Sequence, residues 1–151
     1  MVRRIDIISD THGHLSPELL ATIEGCDLLI HAGDITSESD WAELEASVSE
    51  IRAVLGNNDW YYDYGPEVGK INTFVYEGVS FSVSHYHEML PILESDVAVC
   101  GHTHRAKIEK VGRCMVINPG SASYPRGGRG PTIGRLMVDN GVVLSAQIID
   151  L

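Results

Sequence analysis

Six of the seven histidines in this chain fall into three His-x-His pairs: His12 with His14, His85 with His87, and His102 with His104. Histidine is the commonest metal ligand and the side chain that changes charge most readily near neutral pH, so this grouping points to a site. The pairs belong to short polar clusters that also hold carboxylates and amides: Asp10 in "SDTHGH", Asp34 in "AGD", Asn57, Asn58 and Asp59 in "GNND", then "SHYH" and "GHTH". His31 stands alone inside an apolar run and reads as a buried, hydrogen-bonded histidine. Imidazole, carboxylate and amide oxygen without thiolate suit borderline first-row divalent ions better than magnesium alone or copper(I). Seven candidate donors, Asp10, His12, Asp34, Asn57, His85, His102 and His104, are too many for one tetrahedral ion. Two ions sharing Asp34 would use them all, and ions about 3.5–4 Å apart are suited to in-line displacement at phosphorus.

For these groups to meet, the intervening elements must bring the clusters to one edge. "RRIDIIS", "DLLIHA" and "IRAVL" read as short apolar strands. Between them, "SPELLATIE" is a helix with Ser16 as N-cap and Pro17 at its first position, and "SDWAELEASV" places Trp41, Leu44 and Val48 at helical spacing. This βαβαβ order implies a parallel sheet with right-handed crossovers, whose carboxyl edge is where ligands bind. Residues i and i+2 of an extended chain point the same way, so Asp10 with His12, and His102 with His104, can each address one region. The second half changes to shorter strands with tight turns at Glu77–Gly78, Gly112 and Asn140–Gly141, and one helical candidate around "HEMLPILE". The expected fold is a four-layer α/β/β/α sandwich, two sheets face to face with helices outside, formed as a single domain over residues 1–151.

Composition narrows the function classes. Apolar residues make up 44% and charged residues 21%, as in ordinary globular proteins. The net charge of -10 disfavours nucleic acid as a partner, and bound divalent cations would offset part of it. Cys26, Cys100 and Cys114 are odd in number and widely spaced, which indicates small buried residues in a reducing compartment rather than a disulfide framework. The amino terminus runs straight into a strand and no apolar run approaches transmembrane length, so the cytoplasm, with no membrane partner, is the default expectation.

The order Asp-x-His, Gly-Asp, Gly-Asn-x-Asp, His, Gly-His-x-His resembles the calcineurin-like metallophosphoesterase superfamily. More narrowly, "SDTHGH", "HAGD", "GNND", "GHTH" and "NPGSASYPR" resemble its small single-domain bacterial and archaeal phosphodiesterases, close in fold to the retromer subunit. Carried over by position, the resemblance implies one ion on Asp10, His12, Asp34 and His104 and a second on Asp34, Asn57, His85 and His102. Manganese is the foremost expectation, with zinc, iron, cobalt or nickel as alternatives. The implied reaction is hydrolysis of a small phosphodiester, or less readily a monoester, by a hydroxide bridging the two ions. On the same scaffold the retromer subunit is a metal-poor, catalytically weak protein-interaction module. A plausible ligand at every position of this sequence argues for the enzyme.

One position departs from the family pattern. Asn58 stands where many members carry a histidine that stabilises the transition state or protonates the leaving oxygen, with the following acid, here Asp59, orienting it. An amide is no general acid near neutral pH, so turnover of poor leaving groups should be slow unless His12, His14 or His87 substitutes. The expected catalytic set is Asp34, Asn58, Asp59 and His14, with Arg126 and His87 on the substrate side. Arg126 and Arg129 in "YPRGGRG" offer guanidinium forks to a phosphate, or else form a plain surface loop. "NPGS" before them is expected to be a structured turn with amides free for an anion. "WYYDYG" gathers Trp60, Tyr61, Tyr62 and Tyr64 as an aromatic wall for a nucleotide or aryl substrate, a homodimer contact, or a loop packed on itself.

Overall fold

The computed structural model describes residues 1–151. Strands β1 (Arg3–Ile8), β2 (Leu28–His31) and β3 (Ile51–Ala53) run parallel, connected through helices α1 (Pro17–Ile23) and α2 (Glu38–Ser47). The second sheet is built from β4 (Ile71–Tyr76), β5 (Val79–Ser84), β6 (Val97–Val99), β7 (Lys107–Val111) and β8 (Cys114–Asn118) in the order β4-β5-β6-β8-β7. Its β5, β6 and β8 are mutually parallel, and β4 and β7 are antiparallel edges. The chain then returns to the first sheet as β9 (Thr132–Asp139) and β10 (Val142–Asp150), completing the order β10-β9-β1-β2-β3. No helix is long and apolar enough to cross a membrane.

Local chemistry accounts for the element ends. Ser16 Oγ accepts from Leu19 N at 3.1 Å ahead of Pro17, and Ser37 Oγ accepts from Asp40 N at 3.1 Å, so both helices begin on a side-chain cap. Glu77–Gly78 and Asn140–Gly141 have positive φ at both residues, the two-residue turn whose twist matches that of paired strands. The strands alternate as a sandwich requires. Ile5, Ile7, Leu28 and Ile30 meet Val79, Phe81, Val83, Val97 and Val99 between the sheets. Ile8 and Leu29 face outward onto Leu19, Ile23 and Leu44.

The fourth layer is thin. Leu90 covers Ala98, Cys100, Cys114 and Val116, but the helical segment expected around "HEMLPILE" forms two 3-10 turns, His87–Met89 and Ile92–Glu94. Pro91 between them has no amide to donate, and it holds Leu90 extended at φ -78° and ψ 131°. All three cysteines are buried and free, and burial pushes the Cys26 thiol up to about 11 and that of Cys100 to about 12.

Asp6 is fully buried on the α1 side of β1. Arg135, its neighbour on β9, donates to it through Nε at 2.8 Å and a terminal nitrogen at 3.2 Å, and Arg4 donates at 2.7 Å. Both guanidiniums also donate to the Thr22 carbonyl near the end of α1, at 2.8 and 2.9 Å. Removing the carboxylate charge would leave two half-buried cations unpaired. We predict that Asp6→Asn lowers stability by about 3 kcal/mol, seen as a lower urea midpoint at constant m. An unchanged midpoint would show that the cluster does not support the sheet.

Candidate metal centre

Each cluster leaves the carboxyl end of a strand: Asp10 and His12 after β1, Asp34 after β2, Asn57 to Asp59 after β3, His85 after β5, His102 and His104 after β6. These are the mutually parallel strands of their sheets, so their ends share one edge of the sandwich. The expectation that paired ligands sit on extended chain is corrected. Asp10, His12, Asp34, His102 and His104 have φ of 55°, 46°, 62°, 70° and 61°, the left-handed region that residues with a Cβ enter at a cost of about 1–2 kcal/mol each. The chain must turn back on itself to aim both members of a pair inward. Hydrogen bonds hold it there: Asp10 N to Gly33 O and His12 N to Asp34 O, both 2.9 Å, and His102 N to Asp10 Oδ2, 3.0 Å.

The side chains of five expected donors converge. Asp10 Oδ1 lies 3.2 Å from His104 Nε2, 3.7 Å from His12 Nε2 and 3.8 Å from His85 Nε2. Asp34 Oδ2 lies 3.4 Å from His85 Nε2 and 3.6 Å from His12 Nε2, and the His12 and His104 Nε2 atoms are 3.3 Å apart. Ligand atoms bound tetrahedrally at about 2.0–2.1 Å are themselves separated by about 3.3 Å, so these are the edges of a coordination polyhedron. Two groups result, Asp10–His12–His104 and Asp10–Asp34–His85. His102 joins the second through a 3.3 Å approach of its Nδ1 to His85 Nε2. Asn57 is exposed and lines an adjoining cavity.

The donor chemistry fits divalent ions. Asp10 Oδ1 is buried without a hydrogen-bond partner. His85 donates its Nδ1–H to Ala32 O at 2.8 Å and His104 to Tyr124 O at 2.5 Å, which leaves each Nε2 as a lone pair aimed at the carboxylates. Lone pairs facing one another at these separations repel unless a cation or a proton lies between them. With protons alone, the balance shows in the titration. Burial opposes the charge of Asp10 and Asp34, yet the His12 imidazole facing the first, and the His85 contact and Asn58 hydrogen bonds at the second, hold both carboxyls below the usual range. The facing Asp10 carboxylate raises His12, and at His85 the Asp34 contact overcomes burial and raises it too.

The supporting residues lie within "GNND" and "NPGS". Asp59 belongs to the expected catalytic set, but it is fully buried, and its oxygens accept from the amides of Asp34 (2.7 Å), Gly56 (2.8 Å), Thr36 (2.9 Å) and Ile35 (3.0 Å) and from Tyr64 Oη (2.9 Å). It fixes the Asp34 turn and faces no reacting group. Asn58 likewise serves Asp34, donating from its backbone amide to Oδ1 at 2.9 Å and from Nδ2 to Oδ2 at 3.0 Å. Gly56 is required for close approach, since a Cβ there would overlap Asp34 Oδ1. Ser121 Oγ donates to Asp10 O at 2.7 Å and accepts from the amides of Tyr124 (2.8 Å) and Ser123 (3.2 Å), and within "NPGS" itself the Gly120 amide donates to Asn118 Oδ1 at 3.0 Å. Asn118 Nδ2 bonds Gly101 O and Thr103 Oγ1, both at 3.0 Å, and fixes the turn that carries His102.

Other expected site residues lie at the margin. His14 and His87 are exposed. Arg126 is exposed, and its backbone amide donates to His104 O at 3.1 Å. Arg129 is exposed and pairs with Asp150 at 2.8 Å. His31 behaves as a buried neutral histidine: its Nδ1 accepts from Gly33 N at 3.1 Å, its Nε2 meets Thr11 Oγ1 at 3.0 Å, and burial pushes its pKa down to about 4.

Two predictions follow from this support. Asp59→Asn turns an NH2 group toward a ring of amide donors; it should destabilise the fold by about 3 kcal/mol and reduce metal uptake at least tenfold, measured by urea titration and by elemental analysis. Uptake equal to the parent would show that Asp59 does not position Asp34. His31 excludes a proton when folded, so its contribution to stability is complete above pH 6.5 and is lost as pH falls toward about 4. In chelator, between pH 7 and pH 4.5, the parent should lose about 2–3 kcal/mol more stability than His31→Gln. Equal losses would count against it.

Comparison with known proteins agrees with this geometry. The model of the calcineurin-like phosphoesterase superfamily domain matches residues 4–141. A phosphodiesterase of Methanocaldococcus jannaschii is 34% identical, the match covering 88% of this chain and 92% of that protein. The solved structure of an archaeal phosphodiesterase superposes with a TM-score of 0.78 at 30% identity, covering 98% of this chain and 99% of the other. Vacuolar protein sorting 29 of Cryptosporidium parvum reaches the same TM-score of 0.78 at 17% identity, with 99% of each chain covered, and so shares the fold. The chain belongs to the calcineurin-like phosphoesterase superfamily and is one of its metal-dependent phosphoesterases.

Proposed function

We propose that the protein hydrolyses phosphodiesters at two divalent ions held by Asp10, His12, Asp34, Asn57, His85, His102 and His104, with Asp34 between the ions and manganese as the native metal. The observation that carries the reading is the buried, unpartnered Asp10 Oδ1 faced by three imidazole nitrogens. A protein-interaction scaffold has no use for such an arrangement, because an uncompensated buried carboxylate only destabilises it. Imidazole-rich ligation with carboxylates and no thiolate favours manganese, iron or zinc over magnesium. When bound, the ions would supply an acidified water as nucleophile and polarise the phosphoryl oxygens.

The chain's own residues orient these partners. Asn58 holds the Asp34 carboxylate and Asp59 the Asp34 backbone amide, Ala32 O and Tyr124 O fix the two imidazoles, and Ser121 fixes the Asp10 backbone. With Asn58 bonded to Asp34, protonation of the leaving oxygen falls to another group. His87 is exposed and lines a cavity together with His102, and it is the free imidazole on the substrate side. Three free, buried thiols support a reducing cytoplasmic setting.

The test is Asp34→Asn. With manganese supplied, hydrolysis of bis(p-nitrophenyl) phosphate should fall at least about a hundredfold, and elemental analysis should show fewer bound ions than in the parent. Parental turnover with full metal content would overturn the bridging assignment.

A further inference from the structure

Tyr86 divides two cavities that open at the metal edge. Its ring centroid lies 5.3 Å from that of His85 and 4.9 Å from that of His102, so both cavities begin at the donor cluster. One, of about 430 Å³, has mixed charge and is lined in part by Arg105, Lys107, Glu88 and Glu109. The other, of about 390 Å³, is different in kind. Leu55, Trp60, Tyr86 and Met89 form its walls, with Asn57 and a single charge, Lys70. In a chain with 21 Asp and Glu, its lining contains no carboxylate.

Three features of the second cavity point to a ligand. Trp60 is 71% and Met89 41% exposed, and the Tyr61 ring lies tilted against the indole at a centroid distance of 4.1 Å. Lys70 is also free. Arg3, Arg4, Arg52, Lys107, Arg113, Arg129 and Arg135 each pair with a carboxylate, which leaves Lys70, Arg105, Lys110 and Arg126 without one. Finally, a diester has a substituent on each of two ester oxygens, and two cavities meeting at one edge provide for both.

We propose that the Trp60 cavity is a subsite for a nucleobase, so that the substrate is a nucleoside phosphodiester whose base stacks on Trp60. Lys70 and the Asn57 amide face ring nitrogens and carbonyl oxygens that a base carries and a phenyl group lacks. The mixed-charge cavity receives the other arm. This inference rests on the phosphodiesterase reading above.

Thymidine 5′-(p-nitrophenyl phosphate) and methyl p-nitrophenyl phosphate share a leaving group and differ in the remaining arm. The manganese-loaded protein should prefer the nucleoside ester about tenfold in kcat/KM. Trp60→Ala should bring that ratio close to one, chiefly through KM, and Trp60→Phe should restore most of it. Binding is read separately in chelator with Trp41→Phe, which leaves Trp60 as the sole indole: adenosine monophosphate should quench its fluorescence saturably. Hydrolysis of both esters alike, a ratio unmoved by Trp60→Ala, no saturable quenching, or a dimer that buries Trp60 in sedimentation would each overturn the subsite. Hydrolysis of neither ester would overturn the phosphodiesterase reading itself.

Discussion

A buried carboxylate oxygen with no hydrogen donor is the constraint around which this molecule is arranged. Asp10 Oδ1 is faced by three imidazole nitrogens, and two of those rings are held by backbone carbonyls in the tautomer that presents a lone pair. Such an arrangement is unfavourable unless positive charge enters it. Protons can supply that charge, which is why His12 and His85 titrate high, but a proton satisfies one pair of atoms at a time. A divalent ion satisfies a whole face of the cluster. Metal and proton therefore compete for the same lone pairs, and acidification opposes metal uptake.

The backbone that makes this possible is strained in a way ordinary strand ends are not. Five candidate ligands occupy the left-handed region, and at about 1–2 kcal/mol apiece their sum is comparable to the whole net stability of a domain. Something must offset it in the absence of metal. The Asp59 carboxylate, with five donors, holds the turn at Asp34, and the Ser121 hydroxyl, with three hydrogen bonds, holds the backbone at Asp10. Both are polar groups buried beneath the ligands, and neither touches the space between them. The site is thus preorganised from behind.

This division explains what could be read from the amino-acid sequence. Strands, helix caps and the glycine turns follow from local periodicity and local φ preferences, so Ser16, Pro17 and Asn140–Gly141 behave as their types dictate. The ligand clusters were legible because metal-binding residue types are rare in combination, and His31 because it lies inside an apolar run. Asp59 was legible as an orienting acid and Asn58 as no general acid, but only the three-dimensional turn shows that both are bound to Asp34. The "NPGSASYPR" motif marks Asn118, Ser121 and Tyr124, but not the bonds they make, since a backbone carbonyl or a lone hydroxyl that reaches across the fold has no sequence pattern. The thin fourth layer has a local cause that could have been read, because Pro91 within a run of eight residues is incompatible with one continuous helix.

The charge distribution adds a last step. With a net charge of -10, the protein would repel an anionic substrate at a distance. Most of its cations are tied to carboxylates and contribute little outward field. Three of the four that are not, Lys70, Arg105 and Arg126, lie in or beside the walls of the metal edge. Two bound ions would add four positive charges at the same place, against the carboxylates of Asp10 and Asp34. A loaded molecule therefore presents more positive charge to its substrate at this edge than an unloaded one. Metal occupancy in this design bears on encounter as well as on chemistry.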